Sequence, residues 1–448
     1  MLAAAGALVF FFVARSRILL GDAAVYAHQM ETRDFGERTL HLFYYLVGWA
    51  YLQLAHPLGI PTDAALIALS GILMTAFLWL SWRLFRAFGM DARTARWSLF
   101  ALFFAGVVIQ QGTEAEVYAV QLVLTLTAYL AWVHERPAWA GFFLGLATLT
   151  TPLAVLIVGF FVAEAIRARR WKPFVILGVV GSITFLSVLA LDWRDYFYGT
   201  RGLLVDPRNV QTAAKGIDNA VAMVRNFHFL LPFLAWGLVI AWRSARRWIW
   251  VLVGLLVFHV PAILTVTEDG VFLLPIYPVF AALIGMGVTA GLASRGATRW
   301  LTRAALALFV ATSLLLWIDP YDQRVREGML AGIRRVPPGS TLITNWSFAQ
   351  TLVFYVGAPR DTLLESRKLL WPEQLPKIRA AVRSGEPLYL MESHFPTRGI
   401  RLLYTPAMQT RHYEENSLMA RMHRAVGVTG TPFFSMPGGP IFYRLAVP

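Results

Sequence analysis

The chain has 448 residues, of which 57% are hydrophobic and only 15% are charged. Soluble domains carry about 25% charged residues, so this composition excludes a soluble globular protein and favours one that spans a membrane several times. The net charge of +14 does not indicate nucleic-acid binding, because the arginines fall in short clusters between apolar runs rather than on one face. The lack of cysteine excludes disulfides, thiolate metal sites and cysteine nucleophiles.

Apolar runs follow one another through the first 318 residues. A membrane-spanning helix needs about 20 residues. Residues 2–20 lack a basic leader and carry Arg15 and Arg17 at the far end, which indicates a retained span rather than a cleaved signal peptide. With a weaker run at 229–242, the remaining candidate spans are 64–82, 97–112, 117–133, 139–163, 173–191, 248–267, 271–292 and 304–318.

The run 139–163 is interrupted in its middle by Thr150, Thr151 and Pro152. It is either one helix or two short helices that form a hairpin. Only the hairpin puts the arginine clusters on one side of the membrane, which the positive-inside rule makes cytoplasmic. We therefore predict the hairpin and eleven spans in total, with the clusters at 83–96, 167–172, 243–247 and 295–303 on the cytoplasmic side.

The opposite side then receives most acidic residues of this region, beginning with Asp22 directly after the first run. A carboxylate at a membrane edge is costly unless it binds or reacts with something. Asp22 is either the cap of a helix that starts at Ala23, or a general base or anchor for an acceptor hydroxyl or amine. Tyr26 and Gln29 follow at helical spacing and are expected to share its face.

Two further acidic clusters open on the same side. Glu114, Glu116 and Tyr118 follow the run 97–112, and because residues i and i+2 do not share a helix face, only one glutamate is expected to point into a site. The alternatives are two solvated loop acids, or two loop carboxylates that hold a divalent cation. Glu268 lies in a short loop between apolar runs, and His259 either faces the same cavity or is packed in the bundle.

Two outer loops are long. Residues 21–63 include the aromatic stretch 40–55 with His41, which we predict to lie along the membrane interface as an amphipathic helix. Residues 192–228 contain Arg201 and Arg208, whose planar guanidinium groups suit a phosphate or pyrophosphate.

After Ile318 no spanning run remains and prolines become frequent. We predict a transmembrane domain at 1–318 and a small soluble α/β domain at 319–448 on the outer face. Short strands are expected at 341–344, 387–391 and 441–446, and helices at 348–356 and 373–382.

Five segments occur in an order that resembles the GT-C membrane glycosyltransferases, and within them the DUF2723 group related to protein O-mannosyltransferases. They are Gly21-Asp22, His41-Leu-Phe-Tyr-Tyr-Leu-Val-Gly48, Ala64-Ala-Leu-Ile-Ala-Leu-Ser-Gly71, Glu116-Val-Tyr118-Ala119 and Gly145-Leu-Ala-Thr-Leu-Thr150. The resemblance covers residues 15–165 and extends to the later spans by layout. Where the family has His-Pro-Pro-Gly in its first loop, this chain has His41-Leu-Phe-Tyr and, later, His56-Pro57-Leu-Gly59.

The resemblance implies an integral-membrane enzyme of a prokaryotic inner or plasma membrane that takes a sugar from a polyprenyl-phosphate donor. The acceptor is a protein, lipid or glycan on the extracytoplasmic side. Asp22 would be the catalytic base and Glu116 the second-loop acid, with inversion at the anomeric carbon because a single displacement needs one base. Expected substrate-binding residues are His41, Tyr26, Glu114, Tyr118, His259, Glu268, Arg201 and Arg208; no metal ligand is assigned.

Two other functions stay open: a transporter or flippase for lipid-linked substrates, and a non-catalytic membrane scaffold. A transporter needs polar residues deep within its spans, and these spans are nearly free of charge. The chain also lacks a P-loop, a dinucleotide fingerprint, a nucleophile elbow and a His-Glu-x-x-His pattern, which argues against ATP-driven transport and common soluble chemistries.

Overall fold

The computed structural model describes residues 2–16, 18–19, 22–33, 41–189, 212–265, 271–317, 322–344, 346–357, 363–365, 387–392, 422–424, 427–435 and 441–446. The chain divides into two compact units. The first comprises Met1–Arg15, Asp34–Pro61 and Ala65–Trp317, and the second comprises Ser16–Arg33, Thr62–Ala64 and Ile318–Pro448. The long segment of the second unit begins at Ile318, and the unit also takes in two short segments from the N-terminal region. The division into domains at 1–318 and 319–448 stays a prediction.

The helices, in chain order, are α1 (Leu2–Val13), α2 (Asp22–Thr32), α3 (Leu42–Ala55), α4 (Thr62–Ala87), α5 (Ala92–Phe103), α6 (Gly106–Thr113), α7 (Tyr118–Val133), α8 (Pro137–Thr150), α9 (Val158–Ala168), α10 (Trp171–Leu189), α11 (Thr212–Phe227), α12 (Leu231–Ser244), α13 (Arg246–Thr265), α14 (Tyr277–Ala293), α15 (Ala297–Trp317), α16 (Asp322–Ile333) and α17 (Trp346–Val356). Short 3₁₀ turns cover His56–Leu58, Pro152–Ile157, His228–Leu230 and Val271–Ile276.

Among the described residues, four helical segments are long and apolar enough to cross a membrane: Thr62–Ala87, Asn219–Ser244, Arg246–Leu264 and Val271–Ala293. A fifth span results if α5 and α6, which meet at an angle of 65°, are counted together. These segments support an integral membrane protein. The total of eleven spans stays a prediction.

The α5–α6 break was not predicted from the sequence, which shows one uninterrupted apolar run there. A broken helix leaves backbone N–H groups that must find partners within the protein, because lipid supplies none. The Val107 N–H donates to the side-chain oxygen of Asn226 at 2.7 Å, and the Asn226 amide nitrogen lies 3.1 Å from the Tyr277 hydroxyl. One buried asparagine on α11 therefore supplies a hydrogen-bond acceptor for a backbone N–H group in the first turn of α6.

The predicted break at Thr150–Pro152 is present. Thr151 has extended dihedrals (φ −155°, ψ 133°), which is what a following proline favours, so α8 ends there. Gly141 packs against Leu177 and Gly181, and Gly145 packs against Gly181 and Thr184, so α8 and α10 run in the same direction. The connecting helix α9 must therefore run back in the opposite direction, so α8 and α9 form the predicted hairpin.

The lack of a side chain at Gly141 and Gly145 lets α8 approach α10 closely. A Cβ atom at Gly145 would lie 2.8 Å from the Gly181 carbonyl oxygen, well inside normal contact distance. Small residues allow such close helix packing within a membrane, where no hydrophobic driving force joins helices. The glycines of this hairpin are therefore packing residues rather than hinges.

A buried carboxylate lies at the arginine-rich end of the bundle. Glu164 on α9 is 1% exposed and accepts hydrogen bonds from Arg167 (Nε, 2.8 Å) and Arg247 (Nη2, 2.6 Å). Burial raises the pKa of Glu164, but the hydrogen bonds and charges of the two arginines outweigh it and hold the pKa below its ordinary value. The Arg247 guanidinium also lies 3.8 Å from the centre of the Phe88 ring, after the end of α4.

The second unit contains a five-stranded sheet of order β2-β1-β3-β5-β4, with β1 (Thr341–Thr344), β2 (Leu363–Glu365), β3 (Leu388–Glu392), β4 (Thr429–Ser435) and β5 (Ile441–Ala446). β1 is parallel to β2 and β3, whereas β5 is antiparallel to β3 and β4. The predicted strands correspond to β1, β3 and β5, and the predicted helix 348–356 corresponds to α17. The predicted helix 373–382 lies outside the described residues.

Polar contacts join the three segments of the second unit. The Tyr355 hydroxyl donates to Asp63 Oδ2 at 3.0 Å and accepts from the Leu19 N–H at 3.1 Å, while Thr351 donates to the Leu19 carbonyl at 3.0 Å. Burial and the charge of Asp63 raise the pKa of Tyr355, so its hydroxyl keeps the proton that it donates. Arg326 lies 3.6 Å from Asp63, which completes the network.

Candidate functional site

In the first unit, the aromatic helix α3 meets the loop that follows α6. Tyr44 on α3 is 1% exposed. Burial, and after it the negative charge of Glu116 and the neighbouring Tyr45, raise the pKa of Tyr44 above its ordinary value. The Glu116 carboxylate thus lies close enough to act electrostatically on the Tyr44 phenol, and the structure brings together two segments that are about 70 residues apart.

The same loop is anchored on α4. The backbone N–H of Glu116 donates to the Ser70 hydroxyl at 3.4 Å. Ser70 is buried, whereas Glu116 is half-buried. The anchor holds the loop backbone while leaving the Glu116 side chain partly accessible, which is what a substrate-contacting acid needs.

His41 connects the start of α3 to the hairpin break. Its Nδ1 lies 2.7 Å from the Thr150 carbonyl oxygen, the last residue of α8. A carbonyl can only accept, so Nδ1 carries the hydrogen, and in the neutral ring Nε2 is the acceptor. The bond satisfies one of the carbonyls that a helix end leaves without an intrahelical partner. His56, the alternative histidine, is exposed in the 3₁₀ turn that follows α3.

Glu114 and Tyr118 flank Glu116 and have other neighbours. Glu114 caps the end of α6, and its Oε2 accepts from Gln110 at 3.2 Å on its own helix. Tyr118 begins α7, and its ring lies 6.1 Å from the ring of Phe272 in the turn Val271–Ile276. The two glutamates are therefore directed differently, as their spacing predicts.

An apolar groove lies beside the hairpin break. It has a volume of about 410 Å³ and is lined by α8, the turn Pro152–Ile157 and α10. Thr148 and Ser182 are its polar lining residues, and the remainder is apolar or glycine, including Leu144, Leu156, Phe174 and Phe185. Its lining residues Thr148 and Pro152 flank Thr150, the residue whose carbonyl His41 contacts.

Asp22 and Tyr26 belong to the second unit. Asp22 is the first residue of α2 and is half-buried. Tyr26 and Gln29 are 2% and 3% exposed and follow Asp22 at i+4 and i+7, on one helix face. Asp22 thus occupies a helix start, where an aspartate interacts favourably with the helix dipole, and this position is compatible with both of its predicted roles.

The remaining predicted residues do not join these clusters in the described part of the chain. His259 is 1% exposed within α13, and its Nδ1 donates to the Leu255 carbonyl at 2.8 Å, which is the packed arrangement rather than a cavity-facing one. Glu268, Arg201 and Arg208 lie outside the described residues. Among the residues that are described, no group of three or more His, Asp and Glu side chains is positioned to hold a metal ion.

Tyr44 and Ser70 were not singled out from the sequence as site residues. Tyr44 stood only as one aromatic residue in the stretch 40–55, and Ser70 lies within an apolar run. A hydroxyl in an otherwise apolar segment is the signal that identifies Ser70 in retrospect. No local sequence signal distinguishes Tyr44 from Tyr45. The distinction comes from Glu116, which is distant in the sequence and acts on Tyr44 in the folded protein.

No protein-family model matches the chain, and no curated protein matches its sequence. Solved structures do match its fold. ArnT from Cupriavidus metallidurans, bound to undecaprenyl phosphate, matches with a TM-score of 0.58 at 14% identity over 98% of this chain and 96% of its own. The mycobacterial arabinofuranosyltransferase AftD matches with a TM-score of 0.52 at 15% identity over 100% of this chain and 40% of its own.

The Archaeoglobus fulgidus oligosaccharyltransferase in its apo form also matches, with a TM-score of 0.50 at 12% identity over 87% of this chain and 69% of its own. All three are GT-C glycosyltransferases. The chain therefore has the GT-C fold of membrane glycosyltransferases, which confirms the resemblance predicted from its sequence. A closer relation to the DUF2723 group stays a prediction.

Proposed function

We propose that this protein is a membrane glycosyltransferase that transfers a sugar from a polyprenyl-phosphate donor to an acceptor. The observation that carries the proposal is the match of the GT-C fold over nearly the whole length of both chains to an ArnT structure bound to undecaprenyl phosphate. A fold alone does not define a substrate, so the proposal also rests on the side chains around Glu116.

The groove beside the hairpin break supports a lipid-linked donor. Its lining is apolar, as a prenyl chain requires, and it adjoins the residue that His41 contacts. In this proposal the prenyl chain lies along α8 and α10, and the phosphate lies at the end near His41. When the His41 imidazole is protonated, its Nε2 also carries a hydrogen and can donate it to a phosphate oxygen while Nδ1 stays bonded to Thr150. Arg201 and Arg208 would supply further charge-assisted bonds.

The proposed reaction is a single displacement. An acceptor hydroxyl or amine attacks the anomeric carbon, and the bond between that carbon and the phosphate oxygen breaks. The electron pair leaves with polyprenyl phosphate, and the acceptor proton passes to the Asp22 carboxylate. Attack opposite to the leaving group inverts the anomeric configuration.

Glu116 is proposed to orient the reacting sugar. Its backbone is held by Ser70 while its carboxylate stays partly accessible next to the Tyr44 phenol. A carboxylate accepts hydrogen bonds from two sugar hydroxyls at once, which positions the ring for in-line attack. Tyr118 and Glu114 are proposed to line the entrance, and Tyr26 to support Asp22 within its own helix.

We place the site on the extracytoplasmic side of a prokaryotic inner or plasma membrane. The arginine clusters support this orientation, because the positive-inside rule puts them in the cytoplasm. The C-terminal sheet would then be extracytoplasmic and available for the acceptor, whether protein or glycan.

The proposal is tested with the full chain in liposomes that contain a polyprenyl-phosphate sugar and candidate acceptors. Release of polyprenyl phosphate is measured with Asp22→Asn, Glu116→Gln and the matched controls Asp91→Asn and Glu135→Gln. Asn caps a helix as well as Asp does, so Asp91→Asn should keep α5 intact, and Glu135 is 80% exposed. We expect the rate of release to fall at least 100-fold in Asp22→Asn and in Glu116→Gln, and to stay at the wild-type value in the two controls.

Full activity of Asp22→Asn would contradict the assignment of the base. Movement of the lipid-linked sugar across the vesicle membrane, without release of polyprenyl phosphate, would identify a transporter instead. Normal cellular function of a double Asp22→Ala and Glu116→Ala variant would identify a scaffold. Parallel assays with Mg²⁺, Mn²⁺ and EDTA decide whether a divalent cation takes part.

A further inference from the structure

We propose that a second groove, formed by α5 and α15 with the end of α14, binds one anionic phospholipid. The groove has a volume of about 930 Å³. It is separate from the hairpin groove of the proposed donor site, and the two share no lining residue. This inference does not depend on the proposed activity.

Three arginines lie at one end of the groove. Arg93 is in the first turn of α5, and Arg299 and Arg303 are in the first two turns of α15. Within the part of the chain that the structure describes, no carboxylate lies within ion-pair distance of these three guanidinium groups. The nearby Asp91 carboxylate caps α5 through the N–H groups of residues 93 and 94.

The rest of the groove is apolar and follows one face of each helix. On α15 the lining residues after Arg303 recur at spacings of three and four, and on α5 Trp97 and Phe100 follow Arg93 at the same spacing. The α15 residues are Leu306, Ala307, Val310, Ala311 and Leu314, and Leu292 of α14 completes the apolar lining. Ala307 and Ala311 keep the α15 face shallow, which leaves room for an acyl chain.

A basic end and an apolar length match the two parts of a phospholipid. Unpaired arginines attract an anionic headgroup, and basic pockets between membrane helices recognise such headgroups. Arg299 and Arg303 are held in place for this: Arg299 Nε donates to the Ser294 carbonyl at 2.9 Å, and the Arg303 guanidinium lies 5.1 Å from the centre of the Trp300 ring. Long arginine side chains can keep their charge in the headgroup layer while their stems lie on apolar surface. A neutral headgroup would leave three charges uncompensated, so we expect selection by headgroup charge.

The test is native mass spectrometry of the full-length protein in detergent, titrated with phosphatidylglycerol or with phosphatidylcholine that carries the same acyl chains. The wild type should bind one phosphatidylglycerol at least tenfold more tightly than phosphatidylcholine. A triple Arg93→Gln, Arg299→Gln and Arg303→Gln variant should lose this preference, with phosphatidylglycerol affinity weakened on the order of 10- to 100-fold.

Arg246→Gln is the matched control. Arg246 lies at the arginine-rich end of α13, 6.0 Å from the Trp242 ring, and its Nε donates to the Trp242 carbonyl at 3.0 Å, but it lines none of the grooves described above. The Arg246→Gln variant should therefore bind both lipids as the wild type does. A triple arginine-to-lysine variant, which keeps the charge, should retain the preference and shows whether loss in the glutamine variant comes from charge or from misfolding.

Filling the groove tests the apolar half. Ala307→Phe with Ala311→Phe should abolish the tightly bound phosphatidylglycerol although all three arginines remain. Equal affinity of the wild type for both lipids, or an unchanged preference in the triple glutamine variant, would overturn the proposal. Equally tight binding of inorganic phosphate alone would also overturn it. So would a protein dimer that forms in place of the lipid adduct and dissociates in the triple glutamine variant.

Discussion

The imidazole Nδ1 of His41 lies 2.7 Å from the carbonyl oxygen of Thr150, so the first loop is bonded to the break in the α8–α9 hairpin. The break exposes this carbonyl because α8 ends there, and the histidine satisfies it. The contact joins two features that were noted in the sequence, a histidine in an aromatic segment and a Thr-Thr-Pro interruption.

Replacement of His41 by alanine should reduce donor turnover at least tenfold and cost about 1–3 kcal/mol in stability, because the Thr150 carbonyl loses its partner. Initial rates in liposomes and melting temperatures in detergent measure the two effects. His56→Ala is the control, since His56 is exposed, and it should change neither. Equal losses in both variants would argue against a special role for His41.

The two glutamates of the α6–α7 loop should differ in function. Glu116→Gln should lower the rate strongly, whereas Glu114→Gln should stay within about threefold of the wild type, because Glu114 bonds to Gln110 on its own helix. The rate of sugar transfer at saturating donor measures this. The reverse order of effects would show that Glu114 is the substrate-contacting acid.

Tyr44 provides an independent test of the electrostatic interaction between Tyr44 and Glu116. Tyr44→Phe removes only the hydroxyl that lies in the field of Glu116, so the KM for the donor or acceptor should rise while the fold is kept. Tyr45→Phe, a change to the adjacent buried tyrosine, is the matched control. If Tyr45→Phe alone raises KM, the site lies on the other face of α3.

The ion pairs of Glu164 should make stability depend on pH. Its pKa in the folded protein is below the ordinary carboxyl value of about 4.3, so the stabilisation is complete above that value and is lost as the pH falls through the lower, folded pKa. Glu164→Gln should cost about 1–3 kcal/mol at pH 7, discounted because both arginines are partly exposed.

Melting temperatures measured between pH 3 and pH 7 test this. The gap between the wild type and Glu164→Gln should be constant at neutral pH and close in acid. Glu135→Gln is the control, because Glu135 is 80% exposed and 3.9 Å from Arg170, and such a pair contributes little. A gap that widens in acid would contradict the assigned direction of the pKa shift.

The hydroxyl of Tyr355 should protect the Leu19 amide from exchange. In Tyr355→Phe the Leu19 N–H and the Asp63 carboxylate lose this partner, while the ring still lies 4.7 Å from Arg326. Hydrogen exchange at Leu19 should become roughly fivefold faster, as expected for about 1 kcal/mol of lost hydrogen bonding. Tyr443→Phe, in the same unit, should leave Leu19 unchanged; an unchanged rate in Tyr355→Phe would show that the contact does not stabilise this segment.

Features that depend on neighbouring residues could be predicted from the sequence. Apolar length predicted the membrane-spanning character, and a proline predicted the break after Thr150. The short segments 341–344, 387–391 and 441–446 were predicted as strands and correspond to β1, β3 and β5. The α5–α6 break could not be predicted, because residues 97–112 form an uninterrupted apolar run. What sustains that break is Asn226, 119 residues away from the N–H it accepts.

The membrane-spanning character, the GT-C layout and the hairpin break could be predicted from the amino-acid sequence, since hydropathy, charge and proline geometry are local properties. The three-dimensional packing was needed to show which histidine reaches the hairpin break, which glutamate acts on Tyr44, that His259 is packed within the bundle, and that Glu164 is held by two arginines. Each of these outcomes depends on the packing of side chains, several of them from segments far apart in the chain. The free energy of such contacts depends on distance and burial rather than on sequence spacing.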